Sequence, residues 1–73
     1  MTREEKILTI YAEQDKDLRN GSKIAEVIQQ EASDKLQELG FYIIANRDNP
    51  ESPIFHLQRI DDPNDSPLYE VHG

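Results

Sequence analysis

The chain has no cysteine and no tryptophan, only one methionine and three glycines, and no long hydrophobic run. Without cysteine it forms no disulfide and no thiolate site, and two histidines are too few for a histidine-based metal site. That composition fits a reducing compartment. Glycine is too sparse for a phosphate-cradling loop. Ser22, Ser33, Ser52 and Ser66 all lie outside a GxSxG context. No enzyme, cofactor or metal is therefore expected. The stretch MTREEKILTIYAEQ has no continuous apolar run beyond Ile7 and Leu8, so neither a signal peptide nor a membrane span is expected, and the cytoplasm is the expected location. Asn20-Gly21-Ser22 matches a glycosylation acceptor formally, but without secretion it reads as a turn.

Basic charge is also scarce. Eight Lys and Arg face fifteen Asp and Glu, giving a formal net charge of −7. No third of the chain is basic: residues 1–21, 22–39 and 40–73 carry −1, −2 and −4. Seventy-three residues suit one small domain, and a chain this short buries only about 60% of the surface its unfolded form exposes. The core is expected to be thin, with marginal stability or a dimer that completes it.

What is present has helical and then strand periodicity. Thr2 and Glu5 form a capping-box pattern at a helix start, and Ile7, Leu8, Ile10 and Tyr11 follow at helical spacing. ILTIY is also β-branched and aromatic enough for a strand. The following EQDKDLRNGS reads as a loop or a frayed helix end. Ser22 caps a second helix in which Ile24, Ala25, Ile28, Ala32, Leu36 and Leu39 share an arc of about 120°. Gly40 stands where the left-handed closing residue belongs, and Glu31 and Lys35 have the spacing of an i,i+4 pair.

Three short apolar segments then alternate with turn chemistry: FYIIA, IFHLQRI and LYEVH, separated by NRDNPESP and DDPNDSP, which hold all four prolines. In the middle strand Phe55 and Leu57 share one face, the candidate for packing on a helix, and Ile54, His56 and Gln58 share the other. The expected class is α+β, two helices followed by a three-stranded antiparallel meander. The alternative is β-α-β-β-β, with one helix packed on a four-stranded sheet.

Candidate chemistry is thin. His56 reads as a partly solvated strand histidine whose only nearby partners are Glu70 or His72 on a paired strand. DDPNDSP gathers oxygen ligands but lacks the glycine and the bidentate glutamate of an EF-hand loop.

Residues 22–60, SKIAEVIQQEASDKLQELGFYIIANRDNPESPIFHLQRI, resemble the second half of a winged-helix domain. In that family a helix ending in LxxLG, matched by Leu36, Leu39 and Gly40, leads into a two-stranded wing. One departure is that Ile24-Ala25-Glu26 and Glu38-Leu39-Gly40 are too close for two helices and a turn. The resemblance implies a DNA-binding regulator in which Lys23, Gln29, Gln30 and Ser33 face the groove and Arg47 at the wing tip reaches the backbone. Charge argues otherwise, because phosphate neutralisation supplies most non-specific DNA affinity. The main expectation is therefore a small acidic protein-interaction or regulatory module. Its acidic positions Asp48, Glu51, Asp61, Asp62 and Asp65 face a basic protein partner, or the chain self-associates.

Overall fold

The computed structural model describes residues 2–62, 64 and 69–72. Its order is α1 (Arg3–Arg19), α2 (Lys23–Glu38), β1 (Phe41–Asn46), β2 (Ile54–Arg59) and β3 (Glu70–His72). This is the α+β arrangement of two helices followed by a three-stranded antiparallel sheet. The β-α-β-β-β alternative is not realised, because residues 3–19 form a helix.

Local chemistry explains each helix boundary. The Thr2 hydroxyl accepts the Glu5 N–H at 3.2 Å and starts α1. Thr9, a β-branched residue that argued for a strand, is accommodated by donating its hydroxyl to the Glu5 carbonyl at 2.8 Å. The helix continues to Arg19 through the segment expected to be a loop or a frayed helix end, since Asp15 is buried and anchored there. Ser22 caps α2 by accepting the Ala25 N–H at 3.2 Å. Gly40 has φ +90°, where a Cβ would meet open space, so a substitution there costs backbone strain of about 1–2 kcal/mol and creates no clash.

The helices pack side by side as a hairpin joined by the tight turn at residues 20–22. α1 also packs on β2 and β3, and α2 on β1. In the sheet, β2 lies between β1 and β3, with Ile43 opposite Leu57, Ala45 opposite Phe55, and Phe55 opposite Val71. Leu8 and Ala12 from α1, Leu36 from α2, and Phe55 and Leu57 from β2 form the buried cluster. Ile7, Tyr11, Phe41, Ile43, Tyr69 and Val71 close around it. The Tyr11 ring meets Phe55 edge-on, with centroids 5.4 Å apart and planes at 74°.

Two expected turn or surface residues are buried. Pro53 is enclosed at the entry to β2, and Gln58 is buried on the strand face assigned to solvent. The Gln58 amide donates to the Asp62 carbonyl at 2.9 Å and holds the chain leaving β2. Among the described residues, no helix is long and apolar enough to cross a membrane.

Candidate functional site

The acidic positions do not form one face. Asp48 and Glu51 lie in the β1–β2 connection, where their N–H groups donate to the side chains of Asn46 (3.1 Å) and Asn49 (3.2 Å). Asp61 and Asp62 follow β2 at the opposite end of the sheet, and Asp61 pairs with Arg59 at 3.5 Å. Six strand residues at about 3.3 Å each separate the two groups by about 20 Å. Asp65 lies outside the described residues.

The residues expected to face a DNA groove are also divided. Lys23 and Gln30 are exposed and Ser33 is partly so, but they share the outward side of α2 with Glu26 and Asp34, and Gln30 donates to Asp34 at 2.9 Å. Gln29 corrects the sequence expectation. It is buried and donates its amide to the Tyr11 carbonyl at 3.1 Å, tying α2 to α1. It cannot face a groove from there. The reason is rotational: the buried line of α2 is Ala25, Gln29, Ala32 and Leu36, and Gln29 stands in its middle.

Arg47 is half-exposed, and its guanidinium is engaged within the fold. Its Nη2 donates to Asp15 Oδ1 at 3.0 Å, and its Cζ lies 6.0 Å from the centre of the Phe55 ring. Asp15, 2% exposed, also faces Arg19, whose Nε lies 3.2 Å from Oδ2. That contact is an ion pair without hydrogen-bond alignment, so Oδ2 accepts no hydrogen bond. Arg19 in turn donates through Nη1 to the Pro50 carbonyl. One buried carboxylate and two arginines thus fasten the β1–β2 connection to the end of α1. The i,i+4 spacing of Asp15 and Arg19 was the only sequence signal for this cluster, since Arg47 is thirty-two residues from Asp15.

On the outer sheet face His56 stands opposite Glu70, and His72 Nε2 lies 3.2 Å from Glu70 Oε1. The described residues contain no group of His, Cys, Asp or Glu suited to hold a metal ion. This is a solvent-facing polar row on the sheet.

The most distinctive surface is apolar. Ile24 is 75% exposed, Val27 57% and Ile10 45%. Ile7, Ile10, Ile28 and Ala32 line an open groove along the helical hairpin, with Glu31 and Lys35 at its rim. Ile24, Val27 and Ile28 are neighbours at i, i+3 and i+4, so they extend this groove across α2. The sequence arc placed Ile24 in the core. Its centre is rotated in the fold towards Ala25 and Ala32, whose small side chains let α1 approach closely, leaving the larger Ile24 at the flank. Lys35 makes its ion pair with Glu38 at 4.0 Å, not with Glu31 as the spacing suggested. Comparison with protein-family models, curated proteins and solved structures finds no match.

Proposed function

We propose that this chain is a non-catalytic, cytoplasmic protein-interaction module that docks its partner on the apolar face of the helical hairpin. The observation supporting this is the grouping of Ile10, Ile24 and Val27, exposed together beside the groove of Ile7 and Ile28. Contiguous exposed apolar surface marks interaction sites more often than scattered side chains do. Magnitudes favour this face over the acidic turns. Covering what those three side chains expose is worth about 3–5 kcal/mol at about 1.5–3 kcal/mol per fully buried side chain. An exposed ion pair at Asp48 or Asp61 adds about 0–1 kcal/mol. The acid then serves solubility and steering, and the helices supply the affinity.

The test compares the wild-type chain with an Ile24→Glu/Val27→Glu variant. Both substitutions are at exposed helix positions, so the circular dichroism should be unchanged. The wild type should bind a protein, either its own copy in sedimentation or another chain captured from extract, and the variant should lose that binding. If nothing that the wild type binds depends on this face, the proposal fails.

DNA contact, which the winged-helix resemblance implies, receives little support from the placement of Gln29 and Arg47. The exposed candidates share their surface with carboxylates, and the chain carries −7. A titration with duplex DNA at low salt, where screening is weakest, should show no binding. Saturable binding there would reinstate the DNA reading.

A further inference from the structure

We infer that the occupant of this face is a second copy of the chain, with α2 lying antiparallel on its counterpart across a two-fold axis at Val27. The inference rests on the docking role proposed above and names its partner. Its ground is the order of charges along α2. The face reads Lys23, Ile24, Val27, the half-buried Ile28 and Glu31, with a cation at one end and a carboxylate at the other. Those ends are eight residues apart, about 12 Å along the helix. Val27 is their midpoint. An antiparallel two-fold pairing sets Val27 against its own copy and brings each Lys23 opposite the other copy's Glu31, so the charge match occurs twice. A parallel pairing sets like against like.

Two strongly acidic molecules repel over most approaches. Along the groove the lining is mainly apolar, with Ile7 and Ile10 on α1 and Ile28 and Ala32 on α2, and Lys35 at its rim pairs with Glu38, while Glu26 and Asp34 stand beside Lys23 on the outward side. The apolar area determines the affinity and the two ion pairs determine the register. An isologous contact of this kind closes at two copies.

Sedimentation of the full chain at moderate salt, from about 5 µM to about 1 mM, spans the affinities expected of a small interface. The wild type should form a concentration-dependent dimer, and Ile24→Glu/Val27→Glu should stay monomeric. Lys23→Glu and Glu31→Lys should each raise the dimer Kd by about 2- to 30-fold, the worth of two exposed ion pairs. The double exchange Lys23→Glu/Glu31→Lys should restore it. Folding is not at risk in the first of these, since a carboxylate suits the first turn of α2. A wild type that remains monomeric to about 1 mM overturns the inference, as does a dimer indifferent to Ile24→Glu/Val27→Glu or a double exchange that fails to restore it. The two readings separate cleanly. A monomeric chain that still binds another protein through Ile24 and Val27 loses only the second copy, whereas a chain that binds nothing there loses the docking role as well.

Discussion

Phe55→Ala is expected to lower stability by about 3–5 kcal/mol, the usual cost of emptying a buried aromatic site. In this chain that is close to unfolding, since a domain of seventy-three residues at about 0.05–0.15 kcal/mol per residue holds about 4–11 kcal/mol in all. Phe55 is fully buried on the middle strand, opposite Ala45 on one side and Val71 on the other. Its ring is met edge-on by Tyr11 and approached by Arg47. Removing it therefore loosens β1, β3, α1 and the β1–β2 connection together. Neither alanine nor valine opposite can fill the space, so little relaxation is expected. Urea unfolding followed by circular dichroism measures the loss, with Ile44→Ala on the outer sheet face as the control expected to stay within about 1 kcal/mol. A Phe55→Ala loss below about 1 kcal/mol would mean that the core is not centred on this ring.

Phe55 and Leu57 were legible before the fold was known, because strand alternation puts these two large apolar side chains on one face and sets Ile54 with the polar His56 and Gln58 on the other. The caps at Thr2 and Ser22 and the turn at Gly40 were legible for a similar reason: each is decided within four residues. What was not legible depended on distance or on helix rotation. The period of α2 gave the width of its apolar arc, but Ala25 and Ala32 moved its centre, which buried Gln29 and exposed Ile24. The docking face proposed here exists because of that rotation. Pro53 and Gln58 became buried through contacts that turn chemistry and alternation do not encode. The end of α1 was left open between a loop and a frayed helix end because DKDLR is polar, and polarity is a poor guide where a buried acid has a cation coming from another element.

That cation is the basis of the remaining large effect. Arg19→Ala/Arg47→Ala should destabilise the fold by about 3–5 kcal/mol, more than Asp15→Ala at about 1–3 kcal/mol, although both remove the same two ion pairs. The difference follows from burial. Arg19 and Arg47 are 43% and 54% exposed, so water replaces Asp15 when the carboxylate is lost. Asp15 is 2% exposed and has no such recourse when the arginines go: its charge remains in an enclosed site with no cation beside it. Either change also releases the β1–β2 connection, through the Pro50 carbonyl that Arg19 holds and the Phe55 ring that Arg47 covers. Amide exchange should accordingly quicken across residues 47–53 in both variants, ahead of any loss of protection in α2. Urea unfolding of the two variants side by side checks the order. Equal losses would mean that water already reaches Asp15, and the arginines would then be ordinary surface partners rather than the fastening of the β1–β2 connection to α1.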